Sequence, residues 1–258
     1  MPLMFQQDQA LDRLKHVKHV VLVGSGKGGV GKSFVAAGLA LTMSQAGSSV
    51  ALLDIDVHGP SLPGYLDVAA PVRSSRDGLE PKVIGKLKTM SVGFFTGDRP
   101  APLKGGEKQA LVTQLLAQTN WGKLDYLIVD LPPGTGDELL AAFRLFAGKC
   151  KLILVATPSE RALSVVTKLA KLARQEKVGI AGFVLNMSYL AEGKKKLNVL
   201  GKPQPKRMER ELGAKLLAEI PLEPKVNEED LVTVLKKRKE VGEAFEAVAR
   251  GIGVGRQS

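Results

Sequence analysis

Short apolar runs alternate with segments of helical periodicity along the chain. Seven runs are almost entirely apolar or β-branched, which is typical of strands covered on both faces of a parallel sheet. These predicted strands are His19–Gly24, Val50–Asp54, Met90–Phe94, Tyr126–Asp130, Leu152–Thr157, Ile180–Asn186 and Leu216–Ile220. Helical patterns fall at about 32–46, 107–119, 137–147, 160–176, 205–213 and 239–252. The alternation predicts an α/β fold with an open, mostly parallel central sheet and helices on both faces.

Two segments interrupt this alternation. Residues 57–88 are rich in Pro, Gly and Ser, and residues 187–206 are rich in Lys. Neither segment is long enough to form a domain of its own. We therefore expect a single domain over residues 1–258, with these two segments as functional loops and residues 1–17 as an N-terminal extension.

Glycines, aspartates and prolines gather directly after the predicted strands. The segments Gly24–Ser33, Asp54–Ser61 and Asp130–Asp137 follow three strands, and Asn186 and Pro221 end two more. In open α/β sheets, ligands bind in the crevice outside the carboxyl ends of the strands. The sequence therefore predicts a ligand site along this edge of the sheet.

The segment after the first strand satisfies the phosphate-binding pattern G-x-x-x-x-G-K-[ST]. Its glycines let backbone N–H groups surround phosphate oxygens, and the start of the following helix adds partial positive charge. We expect Lys32 to reach the β- and γ-phosphates and the Ser33 hydroxyl to bind Mg²⁺. Lys27 is an additional lysine, which either reaches a partner's nucleotide or is simply solvated. The residues predicted to hold nucleotide here are Gly26, Lys27, Gly28, Gly29, Val30, Gly31, Lys32, Ser33 and Phe34.

Three aspartates follow strands at the same edge. Strict alternation would point Asp54 and Asp56 in the same direction, where a carboxylate can hold a Mg²⁺-bound water or position the attacking water. Asp130 ends a hydrophobic strand, a pattern that completes a Mg²⁺ site through water. The loop 131–137 combines stiff prolines with glycines, and such a loop can change position when a γ-phosphate leaves. His58 is interpreted as a structural residue.

Several of these motifs resemble a known class of ATPases. Lys27–Ser33 resembles the deviant Walker A motif of the MinD/ParA class. Asp56–Ser61 and Asp130–Asp137 resemble the Mrp/ApbC branch, whose members are scaffold and carrier ATPases for iron–sulfur clusters. Asn186-Met187-Ser188 and residues 220–224 fit the same branch, and the similarity extends over nearly the whole chain. The resemblance implies a single-domain P-loop NTPase that binds ATP and Mg²⁺, hydrolyses ATP slowly and forms a homodimer.

The resemblance also implies roles for individual residues. Lys27 matches the signature lysine that contacts nucleotide across the dimer, and Asp56 matches the switch residue linked to hydrolysis. With Lys32, these two form the predicted catalytic set. Asn186 matches the residue that reads the adenine edge, with Pro221 and Leu222 close to the base. The predicted metal ligands are Ser33, Asp54 and Asp130, with the aspartates acting through water.

The cysteines depart from the pattern of this branch. Its cluster carriers place a Cys-x-x-Cys pair shortly after the Asn-Met-Ser motif, and two such pairs could bridge a [4Fe–4S] cluster. Residues 189–196 contain no cysteine, and Cys150 is the only one in the chain. We expect Cys150 to be a small buried residue at the opposite edge of the sheet. The resemblance thus implies an ATPase linked to cluster assembly or transfer, with assembly or apo-target proteins as partners, but without the usual cluster site.

The distribution of charge favours one alternative function, and the last helix suggests another. The net charge is +11, and residues 141–258 hold 23 Lys and Arg against 13 Asp and Glu. A basic half attracts nucleic acid, anionic lipid or acidic proteins, or simply keeps the chain soluble. One alternative is therefore an ATP-switched dimer of the ParA kind that binds nonspecific DNA. The residues that suggest it are Lys194–Lys196, Lys202, Lys206, Arg207 and Arg210.

The second alternative is a MinD-like switch on a membrane or a protein partner. The predicted last helix places Phe245, Val248, Ala249 and Ile252 on one face, but residues 253–258 are neither apolar nor strongly basic. We expect a docked core helix and no stable membrane association. No run approaches 18 apolar residues, the N-terminus lacks a secretory signal, and a lone cysteine forms no internal disulfide. These features predict a cytoplasmic protein.

Overall fold

A computed structural model describes residues 3–57, 59, 62–68, 71–96, 105–193 and 195–253. The strands are β1 (Val17–Ser25), β2 (Val50–Asp54), β3 (Arg73–Ser75), β4 (Gly78–Glu80), β5 (Lys82–Ile84), β6 (Leu87–Ser91), β7 (Leu124–Asp130), β8 (Cys150–Ala156), β9 (Gly179–Leu185), β10 (Leu190–Glu192), β11 (Lys195–Leu197) and β12 (Leu216–Glu219). The helices are α1 (Leu3–Leu14), α2 (Lys32–Gln45), α3 (Leu62–Leu66), α4 (Gly93–Thr96), α5 (Gly105–Gln118), α6 (Asp137–Leu145), α7 (Glu160–Gln175), α8 (Pro205–Leu212), α9 (Leu231–Lys237) and α10 (Lys239–Gly251), with a 3₁₀ turn at Pro224–Asn227.

Eight strands form one sheet in the order β12-β9-β8-β1-β7-β2-β6-β5. All neighbours are parallel except β5, which runs antiparallel to β6 at the edge. The predicted α/β class with a mostly parallel sheet is confirmed. The register pairs Val23 with Asp130 and Asp54 with Asp130, so that β1, β2 and β7 end at one level of the sheet. This alignment brings the loops after these three strands together.

The central strands are apolar throughout because both faces of the sheet are covered. In β1, Val20 and Leu22 belong to one core, whereas Val21 and Val23 belong to the other. The first core is completed by residues of α1, α5, α6, α7 and α8, and the second by residues of α2, α3, α9 and α10. Burying each such side chain contributes about 1.5–3 kcal/mol, so these strands and helices hold the site on a rigid base.

The structure corrects several predicted boundaries. The strand expected at Met90–Phe94 is β6, at Leu87–Ser91, and a helical turn begins at Gly93. The Ser91 hydroxyl accepts the Gly93 N–H at 3.0 Å, and this local bond ends the strand. The segment 57–88 contains α3 and three short strands, and 187–206 contains the β10–β11 hairpin. Short elements of three to five residues leave too little periodicity to be seen in a sequence.

The sequence pattern misses two longer helices, in addition to the short α3 and α4. The predicted extension is mostly α1, which packs on α5 through the buried Ala10 and Leu14, while Arg13 donates to the carbonyl of Ala117. The second is α9, capped by Asp230, whose side chain accepts the Thr233 N–H at 3.0 Å. An Asp cap of this kind is a signal that the sequence does carry.

The last helix is docked, as expected. Phe245, Val248 and Ala249 are buried in the core beside α2, and Ile252 is half-buried. Residues 254–258, which also entered the prediction, lie outside the described residues. Within the described part of the chain, no helix combines the length and apolarity required to cross a membrane.

Candidate nucleotide-binding site

The loop between β1 and α2 requires glycine at several positions. Gly29 and Gly31 have φ values of +76° and +78°, in the left-handed region that L side chains rarely adopt. A Cβ on Gly31 would lie 2.1 Å from Nδ2 of Asn186. A Cβ on Gly26 would lie 2.4 Å from the carbonyl carbon of Val165. The loop therefore has left-handed backbone at two residues and packs closely against neighbouring elements.

This loop opens into a cavity suited to anions. The cavity has a volume of about 360 Å³, and Lys27, Gly28 and Gly29 are exposed at it. Helix α2 begins at Lys32, and its N-cap, Gly31, provides no side-chain hydrogen bond. The N–H groups of the first helical turn thus have no side-chain cap, and the helix dipole favours negative charge there.

Three side chains form a buried cluster at the wall of the cavity, which Lys32 and Ser33 line. Lys32 Nζ lies 2.6 Å from Asp130 Oδ1, 3.3 Å from Ser33 Oγ and 3.7 Å from Asp56 Oδ2. The Ser33 hydroxyl donates a short hydrogen bond to the other oxygen of Asp130. Lys32, Ser33 and Asp130 are all buried. The structure therefore brings together the predicted phosphate lysine, the predicted Mg²⁺ hydroxyl and the acidic residue at the end of β7.

Asp54 and Asp56 do not point in the same direction, contrary to the expectation from alternation. Asp56 lines the cavity, whereas Asp54 is fully buried and does not. Asp54 Oδ1 accepts the Asp56 N–H at 3.0 Å, and Asp54 Oδ2 accepts the Ser91 hydroxyl at 2.8 Å. The strand ends at Asp54, and the bond to the Asp56 N–H turns the backbone, so alternation does not continue.

Both buried carboxyls, Asp54 and Asp130, have raised pKa values. Burial, together with the charge of the nearby Asp130, raises the pKa of Asp54 to about 7, against the lowering effects of the Asp56 N–H and Lys32. Burial also raises the pKa of Asp130, against the lowering effect of Lys32 and Ser33. Buried carboxylates without enough compensating charge are costly. A cation beside these two carboxyls would therefore compensate for their charge. Because their oxygen atoms are hard ligands, Mg²⁺ is the ion that they favour.

The loop 131–137 is attached to the phosphate loop. Gly134 N–H donates to the carbonyl of Ser25 at 2.9 Å, and Pro133 lines the same cavity as Asp56. Asp56 Oδ1 in turn accepts the Gly59 N–H at 3.3 Å. Both loops that follow acidic strand ends therefore border the cavity, as expected. His58 lies outside the described residues.

Asn186 lies against the phosphate loop rather than in open solvent. Its Nδ2 donates to the carbonyl of Val30 at 2.9 Å, while its Oδ1 is buried and has no hydrogen-bond partner in the structure. The segment that carries Pro221 and Leu222 is tied to the same region, since the Leu222 N–H donates to the Tyr189 carbonyl at 2.7 Å. The loop is therefore bordered by a buried acceptor without a hydrogen-bond partner.

The Phe34 side chain is absent from the lining of the cavity. It is buried between Tyr65 and Phe245, with ring centroids 6.1 and 5.5 Å away. Only its backbone can meet a ligand. Sequence reasoning missed Tyr65, which lines the cavity from α3, and Ser91, which holds Asp54. Neither residue belongs to a recognisable motif, because contacts between distant segments place both.

Cys150 starts β8, at the end of that strand opposite to the phosphate loop, as expected. Contrary to the expectation of a buried residue, Cys150 is only half-buried, because it lies at the very start of the strand; this partial burial raises the pKa of its thiol to about 11. No group of three or more His, Cys, Asp or Glu side chains in the described residues is arranged to hold a metal ion. Cluster ligation through thiolates therefore does not fit the residues present.

Comparison with protein families decides the relationship that the motifs indicate. The model described as the NUBPL iron-transfer P-loop NTPase family, of the ParA group, matches residues 16–253. The chain belongs to this family. The resemblance to the MinD/ParA class and to its iron–sulfur carrier branch is thereby confirmed.

Relatives of this chain are named as iron-sulfur cluster carriers or assembly factors. An iron-sulfur cluster carrier protein of Saccharolobus solfataricus is 39% identical over 236 residues, covering 86% of this chain and 79% of that protein. A cytosolic Fe-S cluster assembly factor NUBP2 homolog of Monosiga brevicollis is 41% identical over 225 residues, covering 82% and 78%. These names describe the relatives.

Solved structures agree with the fold. A nucleotide-binding protein of Archaeoglobus fulgidus in complex with ADP superposes with a TM-score of 0.74 at 31% identity, covering 86% of this chain and 89% of that one. The cell division ATPase MinD of Pyrococcus furiosus superposes with a TM-score of 0.66 at 22% identity, covering 91% and 98%. The second similarity concerns the fold alone.

Proposed function

We propose that the protein is a Mg²⁺-dependent ATPase that works as a homodimer in iron–sulfur cluster assembly or transfer. The observation that carries the proposal is the cluster of Lys32, Ser33 and Asp130 at a glycine-lined cavity, whose wall includes Lys32, Ser33 and Asp56. These are the groups that phosphoryl transfer requires: a phosphate cradle, a cation and oxygen ligands for a metal ion. The ADP complex of the Archaeoglobus relative supports a nucleotide as the ligand.

The residues fit Mg²⁺ on the chemistry of their donors. Ser33 Oγ and the Asp130 carboxylate already meet each other, and the fully buried Asp54 adjoins them electrostatically. Ser33 would bind the ion directly, and the two aspartates would hold its waters. The ion, when bound, neutralises charge on the β- and γ-phosphate oxygens.

The proposed reaction transfers the γ-phosphoryl group to water. The bond between the γ-phosphorus and its bridging oxygen breaks, the water oxygen bonds to phosphorus, and ADP and inorganic phosphate leave. Asp56 orients the attacking water, and Lys32 stabilises charge on the phosphate oxygens. Asn186 Oδ1 is available to accept a hydrogen bond from the adenine amino group, with Pro221 and Leu222 nearby. No strong base is required, which agrees with slow turnover.

The homodimer and the cluster rest on Lys27 and on the family of the chain. Lys27 is exposed at the cavity, so its ammonium is free to reach a nucleotide on a partner subunit. Membership in the iron-transfer family supports a cluster as cargo. Since this chain offers no thiolate set, we propose that assembly or apo-target proteins provide the ligands.

A second candidate function rests on the basic C-terminal half. Lys195, Lys202, Lys206 and Arg210 are exposed and form no ion pair with a described residue. Arg207 differs, because it pairs with both Glu160 and Glu211 at 2.7 Å. Lys194 lies outside the described residues. The unpaired charges support nonspecific DNA binding, which should weaken steeply with salt.

The experiment that tests the first proposal combines two measurements on the full chain. ATP hydrolysis is followed with and without Mg²⁺. Iron and acid-labile sulfide are then measured after anaerobic reconstitution, with Cys150→Ser as the matched variant. We expect Mg²⁺-dependent hydrolysis and no cluster that depends on Cys150.

Two results would change this assignment. Absence of nucleotide binding would overturn the ATPase. Hydrolysis that is stimulated by duplex DNA at low salt, with no effect of any cluster-assembly protein, would favour the second candidate.

A further inference from the structure

A second cavity lies behind the candidate nucleotide site, between α5 and α6. Its volume is about 270 Å³. Its apolar lining includes Ile55, Val57, Val112 and Leu145, of which the first three are buried. Apolar cavities of this kind accept compact apolar groups such as a benzene ring.

The two cavities share their walls. Asp56 lines the nucleotide cavity, whereas its neighbours Ile55 and Val57 line the second one. Likewise, Pro133 borders the nucleotide cavity and Pro132 borders the second. Each loop therefore presents alternate residues to the two cavities. A displacement of either loop must change both.

The polar residues of the second cavity include one free charge. Lys108 of α5 and Glu138 of α6 both line it and form an ion pair, with Nζ 2.5 Å from Oε1. Asp137 also lines the cavity, is exposed and forms no ion pair with a described residue. Among the described lining residues, the exposed carboxylate of Asp137 complements a cationic ligand.

We propose that this cavity binds a small primary amine with a compact apolar body, and that the amine and the nucleotide strengthen each other's binding. The apolar body packs on Ile55 and Val57, and the ammonium group faces Asp137. A bound ligand braces the loop that carries Asp56, so less conformational entropy is lost when that loop orders around phosphate. The coupling rests on the proposed function, whereas the amine site itself does not.

The test of the site uses three ligands of similar shape and different charge: 2-phenylethylamine, 2-phenylethanol and 3-phenylpropionate. Each is titrated into the full chain without nucleotide by isothermal calorimetry. We expect the amine to bind about threefold tighter than the alcohol, as for an exposed charge pair, and the carboxylate to bind weakest. Asp137→Asn should remove the difference between the amine and the alcohol.

A filling variant tests the location. Ala141 lines the cavity, so Ala141→Leu should abolish binding of all three ligands. Ala147→Leu, at an exposed position just after α6, is the matched control and should leave binding unchanged. Fluorescence of the single, buried Trp121 verifies that each variant is folded. If Ala141→Leu does not fold, the location of the site is tested by whether Asp137→Asn removes the difference in affinity between the amine and the alcohol.

The coupling is tested by measuring nucleotide affinity with and without saturating 2-phenylethylamine. We expect the amine to raise the affinity for nucleotide at least threefold. Saturating nucleotide should raise the affinity for the amine by the same factor. The proposal is overturned by a lack of saturable binding, by binding that survives in folded Ala141→Leu, or by an unchanged nucleotide affinity. A chain that binds no nucleotide would overturn the proposed function and the coupling, while the amine series would still decide the cavity.

Discussion

Lys32 Nζ lies 2.6 Å from Asp130 Oδ1, so the lysine of the phosphate loop is held by the carboxylate that ends β7. Both groups are buried, and the pair spans 98 residues of sequence. Because a buried charge without a partner is costly, the two groups stabilise each other. A phosphate group entering the cavity would therefore compete with Asp130 for Lys32, and a metal ion beside Asp130 would compensate for the loss.

The first prediction separates the two lysines of the loop. Lys32→Ala should weaken nucleotide binding at least hundredfold, because the ammonium closest to the phosphates is lost. Lys27→Ala is the matched variant, since Lys27 is exposed and pairs with no described carboxylate. It should keep binding within threefold and slow hydrolysis at least tenfold. Equilibrium binding and phosphate release measure the two effects, and normal hydrolysis by Lys27→Ala would contradict the role across the dimer.

A second prediction concerns Asp56. Asp56→Ala should leave nucleotide affinity within threefold of the wild type, because Lys32 and the loop amides remain. Hydrolysis should fall by at least tenfold, since the attacking water loses its positioning group. Asp77→Ala, on the exposed β3–β4 turn, controls for the loss of a carboxylate elsewhere. A variant of Asp56 that hydrolyses ATP normally would show that another group orients the water.

The pH dependence of stability follows from Asp54. Its folded pKa is about 7 against an ordinary value of 3.8, so between these values the folded chain holds a proton that the unfolded chain has released. The free energy of unfolding should therefore fall as pH rises from about 4 to 7. Asp54→Asn should flatten this fall and be more stable at pH 8, by on the order of 4 kcal/mol.

Urea unfolding, followed by Trp121 fluorescence without nucleotide or Mg²⁺, measures this effect. The same variant should bind Mg²⁺-nucleotide more weakly, because a predicted ligand of the metal's water shell is lost. A stability curve for Asp54→Asn that parallels the wild type across this pH range would show that Asp54 is ionised in the folded chain.

The fourth prediction isolates close packing from backbone strain at the phosphate loop. Gly31 and Gly148 have the same φ of +78°, but only at Gly31 would a Cβ meet a neighbour, Asn186 Nδ2. Gly148→Ala should cost about 1 kcal/mol in the free energy of unfolding, from the left-handed backbone alone. Gly31→Ala should cost more and impair nucleotide binding. In the double variant Gly31→Ala with Asn186→Ala, only the stability lost through the contact between the new Cβ and Asn186 should be recovered. Full recovery of the free energy of unfolding would rule out backbone strain at Gly31.

The fifth prediction concerns the reactivity of Cys150. With the thiol pKa raised to about 11, alkylation by iodoacetamide at pH 8 should be roughly hundredfold slower in the folded chain than in urea. Mass spectrometry of the quenched protein measures both rates. Equal rates would indicate an accessible thiolate and would reopen a role for this cysteine in metal binding.

Local patterns in the sequence were sufficient for the class of fold and for the position of the phosphate loop. Strands buried on both faces are apolar along their whole length, and the loop requires glycines and a lysine within eight residues, so both signals lie in short segments. The shift of the predicted strand at 90–94 has two causes, the local bond from the Gly93 N–H to the Ser91 hydroxyl and a contact with a distant segment. A hydrogen bond from Ser91 to Asp54, far away in sequence, helps to fix where that strand ends.

What the sequence determined by itself was the family, the set of candidate residues and the edge of the sheet at which they gather. Only the tertiary structure decided how they meet: that Lys32 holds Asp130, that Asp54 is buried while Asp56 faces the cavity, that Tyr65 joins the site, and that a second cavity shares its walls. The physical reason is the distance along the chain over which each kind of interaction acts. Hydrophobic periodicity and turn chemistry act between neighbouring residues, whereas these contacts depend on strand register and helix packing between segments that are distant along the chain.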